Sequence, residues 1–600
     1  MTEGNQDPAR TGAAQATRDA STEAPRHGGA RAVAAARRHG VSAMFTLSGG
    51  HVFPLYDGAV KTDPPMRLVD VRHEQTAVFA AEATARLTRR PGLAVLTAGP
   101  GVTNGISAIT TAHFNGSAMV VLAGRAPDYR WGSGSLQEID HPLLLAPVTK
   151  RAWTEHQAGH AGAAADEAFR LAASPHRGPV FLDFSLEALF GEAGNAAAAR
   201  DQPPAAGNAA ARQASSGAAG AAGAATVPAP PDGGSVDAVA GLLAGASRPV
   251  LVLGSDVWLG GAEAAARAAA EELRLPVITN GQGRGVLPSG HDLLVTRARS
   301  VAFREADLVV VAGTPLDFRL GYGEFGGADG GPPAQVVHVA DAPDQIATHR
   351  ALAASAAGDL AAFFTALPGA VRAAGRARAA GPRPAWEESW LPRLRAARTE
   401  AMAADSALLA SDADPIHPMR VYGELARLLD NDAVVIGDGG DFVSYAGKYI
   451  EPRRPGGWLD PGPYGCLGTG LGYAIAARIA RPSAQVVLLL GDGAAGFSLM
   501  DADTLVRHRL PVVMVCGNNG AWGLEKHPMQ ALYGYDVVAD LQPRCRYDEV
   551  VRALGGAGEI VTRPDGIAPA LRRAFGSGVP YLVNVITDPA IAYPRATTGI

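Results

Sequence analysis

The chain has 600 residues, 47% hydrophobic and 18% charged, with a formal net charge of -5. At roughly 100–200 residues per domain, that length calls for about three folded units. The small net charge leaves no electrostatic footprint for nucleic acid or an anionic membrane, and no apolar run approaches the ~18 residues of a membrane span.

Residues 1–27 are small and polar with no apolar core segment, which predicts a disordered tail and not a signal peptide. The first block, 28–190, alternates short apolar runs such as Leu93–Leu96 and Met119–Leu122 with Ala-rich amphipathic stretches. Buried parallel strands alternating with helices give this pattern. After the apolar Leu68-Val69 comes Arg72-His73-Glu74-Gln75-Thr76, which opens the helix Ala77–Leu87. A glutamate there ordinarily serves the first turn of its helix. The block continues with Thr97-Ala98-Gly99-Pro100-Gly101-Val102-Thr103-Asn104-Gly105, then Ser135-Leu136-Gln137-Glu138, then Lys150.

Residues 191–234 are Ala, Gly, Pro, Ser and Gln with almost no large apolar side chain, a linker composition. The middle block, 235–368, repeats the α/β pattern with strands at Val250–Leu253 and Leu308–Val311. Two Gly-rich turns, Gly254-Ser255-Asp256 and Asn280 to Gly285, follow strands, and Asp317-Phe318-Arg319 lies beyond the second. Residues 369–411 read as another linker, Ala/Arg/Gly/Pro-rich and then charged and helical.

The third block, 412–600, carries the strongest signal. Val486–Leu490 reads as a strand, followed by Gly491-Asp492-Gly493, a helix at Ala502–Arg509, a strand at Leu510–Cys516 and then Gly517-Asn518-Asn519-Gly520. Gly, Asp and Asn favour turns, so either turn alone is ordinary. Together, two adjacent parallel strands bring Asp492 and Asn519 to one sheet edge. Ligands bind beyond the carboxyl ends of such strands, and hard oxygen donors there suit Mg²⁺, which completes its shell with phosphate and water. Gly468, Gly470 and Gly472 are not a dinucleotide fingerprint, because no strand leads into them and the spacing is not GxGxxG. The three cysteines, Cys466, Cys516 and Cys545, have neither zinc nor disulfide spacing, which points to a reducing cytoplasm.

The GDG followed some two dozen residues later by NN resembles the diphosphate-binding motif of thiamine-diphosphate enzymes. The HEQ segment with Thr97–Gly105 resembles the pyrimidine-binding domain of the acetohydroxyacid (acetolactate) synthase family. The resemblance implies three doubly wound parallel-sheet α/β domains: pyrimidine-binding at 28–190, central and nucleotide-binding-like at 235–368, diphosphate-binding at 412–600. It also implies Mg²⁺ ligated by Asp492, Asn519 and the carbonyl of Ala521, with backbone N–H groups of Gly491, Gly493 and Ala494 toward the diphosphate. Thiamine chemistry needs a carboxyl group at the pyrimidine N1′ so that the cofactor's own 4′-amino group becomes basic, and Glu74 takes that role. Ser48-Gly49-Gly50 resembles the family's PGG turn, with Ser for Pro. Ser135–Glu138 resembles its AFQE segment, making Gln137 an active-site glutamine, and Lys150 matches a lysine beside that pocket. Tyr464 to Tyr473 resembles GLGTMGxGLP, so Leu467 replaces the methionine that wedges the cofactor into a V, and the Gly465 carbonyl faces the 4′-amino group. The loop Ile436 to Phe442 matches the diphosphate-touching loop at Gly440, while Asp441 and Phe442 replace the usual Gln and His.

Two subfamilies compete for the reaction. The Gln137 segment and Arg319, which matches an arginine near the second substrate, look like acetolactate synthases, which decarboxylate a 2-keto acid and condense the product with a second carbonyl. Leu459 to Gly465, Asp492 to Ser498 and Gly313 to Gly321 look like 2-hydroxyacyl-CoA lyases and oxalyl-CoA decarboxylases. The synthases' substrate-selecting tryptophan is absent, with Pro528 at its position. The central domain binds FAD in the synthases and ADP in the oxalyl-CoA enzymes; the Gly-rich turns are thin support for FAD. The expected partners are a keto acid or acyl-CoA and further copies of the chain, as a homodimer or homotetramer with sites shared between subunits. A catalytically silent relative is the remaining alternative, opposed by the presence of Glu74, Asp492 and Asn519 together.

Overall fold

The computed structural model describes residues 26–192, 229–377 and 385–594. The expected tail up to residue 25 and most of the 191–234 linker lie outside them. Three parallel sheets carry the fold. The first holds β1 (Ala43–Thr46), β2 (Arg67–Asp70), β3 (Gly92–Leu96), β4 (Met119–Gly124), β5 (Ala152–Glu155) and β6 (Pro179–Phe184), in the order β2-β1-β3-β4-β6-β5. The middle sheet holds β7 (Pro249–Leu253), β8 (Val277–Thr279), β9 (Leu308–Ala312), β10 (Gln335–Ala340) and β11 (Ala354–Ala357), in the order β11-β10-β9-β7-β8. The third holds β12 (Val434–Asp438), β13 (Trp458–Leu459), β14 (Val486–Gly491), β15 (Val513–Asn518), β16 (Ala557–Val561) and β17 (Tyr581–Ile586), in the order β13-β12-β14-β15-β17-β16.

The strands form because they are near-continuous runs of Val, Leu and Ile, buried on both faces as parallel sheets require. The first and third sheets have the same strand order once each is numbered from its own start. Each has a core of its own on one side. On the other they share one: Phe79, Ala80 and Val78 of the helix Glu74–Thr88 pack with Leu471, Tyr473 and Ala474 of the helix Thr469–Ala480. Gly472 makes that approach possible, since a Cβ there would stand 2.7 Å from the Phe79 Cβ and 2.8 Å from the Thr76 carbonyl oxygen.

Polar contacts reinforce this interface. Glu82, fully buried, accepts from Tyr473 Oη at 2.8 Å and from Asn115 Nδ2 at 2.7 Å, and Arg86 Nη1 donates to the Asp460 carbonyl at 2.9 Å. Asp501 of the third unit accepts from Thr76 Oγ1 at 2.6 Å and from the Arg72 N–H at 2.7 Å.

The stretch 369–411 differs from a plain linker. The helix Leu360–Ala377 continues into it, and the helix Trp390–Leu409 buries Trp390, Leu391 and Leu394 in the middle core beside Trp386. The large apolar side chains spaced along that charged segment are what anchor it.

Candidate active site

In the third sheet, β14 and β15 pair with Leu490 opposite Cys516 and Gly491 opposite Gly517. The helix Asp492–Ser498 starts immediately after β14, so Asp492 sits at the sheet edge beside the end of β15. Its Oδ2 accepts from the Gly520 N–H at 2.6 Å and its Oδ1 from the Gly493 N–H at 2.9 Å. The carboxylate is buried, and desolvation draws its pKa up to about 6 despite those bonds. No cationic side chain among the described residues pairs with it.

Asn519 stands just past β15, half-buried, its Oδ1 accepting from the Ala521 N–H at 3.1 Å. Asn518, the preceding residue, turns inward, where its amide donates to the Cys545 carbonyl at 2.9 Å and to Asn584 at 3.1 Å. The pair therefore divides: one asparagine braces the sheet and the other is left at its edge. Ala521 is buried and bridges to Asp540.

Around this edge the chain is built for close approach. A Cβ on Gly491 would meet nothing within 4 Å, whereas one on Gly493 would lie 2.4 Å from the Trp522 ring. Ala494 and Gly491 lie against Gly439, whose φ of 130° only glycine adopts readily. Gly440 faces Leu524. Asp438, at the end of β12, accepts from the N–H groups of Gly468 at 3.0 Å and Gly470 at 2.8 Å, and burial draws it up to about 7. It thereby pins the turn that carries Leu467, a half-buried side chain, and Gly465, which has φ 69° and open space at its α-carbon. Three buried oxygens near this turn and edge, Thr469 Oγ1, Ser498 Oγ and Asn518 Oδ1, have no hydrogen-bond partner. Buried polar atoms without partners are uncommon, and these three belong to segments that flank the Asp492 edge in sequence.

The first unit contributes Glu74, buried at the start of its helix, with Oε2 accepting from Asn104 Nδ2 at 3.0 Å. Its neighbour Gln75 reaches Gly468: a Cβ there would stand 2.7 Å from Gln75 Nε2 and 2.8 Å from the Phe497 Cβ. Gln137 has φ 61°, a left-handed conformation that costs a non-glycine residue and often accompanies a functional loop. A Cβ on Gly99 would fall 2.7 Å from the Gln137 Cβ.

Lys150 and Arg319 lie elsewhere, in a cavity of about 550 Å³ between the first and middle units. Lys150 Nζ donates to the Ser174 carbonyl at 2.9 Å, to Ser174 Oγ at 2.7 Å and to the His176 carbonyl at 2.7 Å. Desolvation draws the amine down to about 8, although the residue keeps exposed surface. Arg319 forks onto Asp317, with Nη2 2.7 Å and Nε 3.0 Å from Oδ2. The cavity opens at the carboxyl ends of β7 and β9, where the chain reverses its strand order, and Asp256, His176 and His113 also line it. Asp256 is buried there, drawn up to about 7 by desolvation and by Asp341. His176 and Arg177 bond Asp341 at 2.8 and 3.3 Å. Of the four side chains expected to do chemistry, Lys150 and Arg319 share this cavity, whereas Glu74 and Gln137 are not in its lining.

Of the two Gly-rich turns in the middle unit, Ser255 and Asp256 line this cavity, but Asn280 to Gly285 does not. Gln282 is fully buried and donates to the Arg86 carbonyl at 3.2 Å, and Arg284 stacks over Trp458 at 4.7 Å. That turn joins units, with the Gln282 N–H donating to Ser255 Oγ of the cavity wall at 3.1 Å. His113, which the sequence places near the Lys150 pocket but reads as a packing residue, lines this cavity, whereas Trp522 beside Gly493 and Asp438 beneath Gly468 were given no role of their own. Only Asp438 left a signal, as an acidic residue ending a strand before two glycines.

The thiamine pyrophosphate enzyme family matches this chain at three places: its N-terminal TPP binding domain at residues 26–144, its central domain at 236–367 and its C-terminal TPP binding domain at 438–585. The chain is 50% identical to the acetolactate synthase large subunit IlvG of Mycobacterium tuberculosis, over 93% of its own length and 95% of that protein. It is 33% identical to 2-hydroxyacyl-CoA lyase 2 of Caenorhabditis elegans, over 89% of its length and 84% of that protein, and 32% identical to the human protein of that name, over 94% and 90%. With its three α/β units in the order of that family's domains, the chain belongs to the thiamine pyrophosphate enzymes, as a thiamine-diphosphate-dependent enzyme of the acetolactate synthase-like kind.

Proposed function

We propose that this protein decarboxylates a 2-keto acid and joins the remaining fragment to a second carbonyl compound, as an acetolactate synthase. The likeness to the Mycobacterium tuberculosis protein, half of all positions across nearly the whole of both chains, carries this reading.

Asp492, Asn519 and the Ala521 carbonyl are the protein's ligands for Mg²⁺. The donor set suits the ion: a desolvated carboxylate without a cationic partner, an amide oxygen and a carbonyl at one sheet edge. Gly491, Gly493 and Ala494 then offer N–H groups to the diphosphate. The Gly493 N–H is held by the Asp492 carboxylate, so drawing that carboxylate onto a cation frees it. When bound, thiamine diphosphate supplies the electron sink that decarboxylation needs. The Glu74 carboxyl, oriented by Asn104, is the group that would bond the pyrimidine ring. With the cofactor bound, Leu467 would fill the space between its rings, the Gly465 carbonyl would accept from its amino group, and Gly440 would border its diphosphate. Gln137 orients the substrate.

The second cavity takes a nucleotide. Lys150, Arg177 and Arg319 suit phosphates, and Asp256, a buried carboxylate, suits ribose hydroxyls at a point where the strand order reverses. FAD and the adenosine diphosphate part of an acyl-CoA share this chemistry. A cleavage of 2-hydroxyacyl-CoA is therefore the second reading, favoured by this cavity and by the 33% identity to the lyase.

Sites are completed by a second copy of the chain, in a homodimer or a pair of dimers. Phe497 is 54% exposed and Met500 54%, both just after Asp492, and Leu136 is 77% exposed and Leu143 64% around Gln137. Apolar surface of that extent beside a site marks an interface.

Purified protein with thiamine diphosphate and Mg²⁺ should convert pyruvate to carbon dioxide and acetolactate. Cleavage of a 2-hydroxyacyl-CoA with no turnover of pyruvate would replace the synthase reading with the lyase one. Flavin absorbance near 450 nm would assign FAD to the second cavity; its absence would leave that cavity to CoA or ADP.

A further inference from the structure

Behind Gln137 lies a polar relay with no part in the chemistry described so far. His141 opens the short helix His141–Leu145, and Asp183 sits near the end of β6; both side chains are wholly buried. His141 Nδ1 lies 2.8 Å from Asp183 Oδ2, and the Gly99 N–H donates to His141 Nε2 at 2.9 Å. Because the Gly99 amide can only donate, Nε2 must be bare, so the ring proton is on Nδ1 and goes to the carboxylate. Phe181 closes the ring edge-on at 6.1 Å.

Gly99 is the residue this relay holds. Its φ of 60° and ψ of -114° are open only to glycine, and its α-carbon faces the Cβ of Gln137, itself left-handed at φ 61°. From Gly99 the chain runs directly into Pro100–Thr103 and Asn104, which bonds Glu74. Gln137, the strained partner of this contact, needs its surroundings to fix it, and a neighbouring backbone N–H caught by an oriented histidine helps to do so.

We propose that Asp183 and His141 are positioning residues: through Gly99 they set the Thr97–Asn104 loop, and thereby Gln137, for the reaction. This rests on Gln137 working in the active site. Asp183 selects the tautomer, His141 catches the amide, and neither touches substrate.

Removing His141 alone leaves a buried carboxylate without a partner and endangers the fold. The test is therefore the pair His141→Leu/Asp183→Leu, which replaces both polar groups by apolar ones, with and without Gln137→Ala. Folding is checked by melting, cofactor binding by titration of thiamine diphosphate with Mg²⁺, and turnover with pyruvate. The paired variant should fold and bind cofactor as the wild type does, with kcat/KM lower by about tenfold. Adding Gln137→Ala to it should cost much less than in the wild type, because residues that act as one unit are not additive. Penalties that multiply in full, or a paired variant with wild-type kcat/KM, would overturn the relay. A Gln137→Ala protein with wild-type kcat/KM would instead remove Gln137 from the site, and the relay's purpose with it.

Discussion

On the proposed reading Glu74 and Asp492 carry the chemistry at the residue scale, and each can be removed with a different signature. Glu74→Gln keeps the shape and the bond from Asn104 but cannot hold or share the proton. Turnover should fall by about 10²–10⁴-fold while cofactor affinity stays close to that of the wild type. Unchanged turnover would take Glu74 out of the mechanism. Asp492→Ala removes a cation ligand, so the protein should fold yet lose the rise in melting temperature that thiamine diphosphate with Mg²⁺ gives the wild type. Equal rises in both proteins would contradict the metal assignment. Both stand out in the sequence because a cation site and an acid–base group would restrict the side chain allowed, and such a restriction leaves a motif. Lys150 and Arg319 were legible as matches but not as neighbours. Nothing along the chain says that the segment before β6, the ends of β7 and β9, and β10 close one cavity around them. Trp522 acts by packing against Gly493, which a linear pattern does not encode, and Asp438 ends a strand before two glycines without any sign of the distant amides it accepts from.

Strands could be read from their apolar runs and their terminal Gly, Asn and Asp, since burial on both faces dictates composition directly. The segment 369–411 could not be read as well, because its Ala and Arg content resembles a linker while Trp386, Trp390 and Leu394 reach back into the middle core. The decisive contact between elements is the crossing of Glu74–Thr88 and Thr469–Ala480, which ties the start of the acid-bearing helix to the turn holding Leu467. Gly472→Val places two methyl groups where the Phe79 Cβ is already 2.7 Å from an added Cβ. Overpacking of this kind costs about 1–3 kcal/mol. The melting temperature should drop, with activity at low temperature falling more steeply than stability alone requires. A variant as stable and as active as the wild type would show that the two helices are free to separate.

For the whole molecule, the repetition of one strand order in the first and third units means that two related folds face each other, with the reacting groups divided between them. Glu74→Gln and Asp492→Ala subunits, each inactive alone, should regain activity on mixing if sites form between copies. Random pairing makes about half the dimers mixed, each with one intact site, so roughly a quarter of wild-type activity should return. No recovery, once mass spectrometry has shown that subunits exchange, would place each site within one chain. The exposed side chains Phe497, Met500 and Leu136 should be covered in the same dimer.

The proposed carboligation requires thiamine diphosphate held by a cation at Asp492. The most direct measurement is pyruvate turnover by cofactor-stripped protein as thiamine diphosphate and Mg²⁺ are restored separately and together, in the wild type and in Asp492→Ala. Activity should return to the wild type only with both, yielding acetolactate, and should return to the variant only at far higher cofactor concentrations. Acetolactate formed without thiamine diphosphate, or identical cofactor requirements in the two proteins, would contradict it.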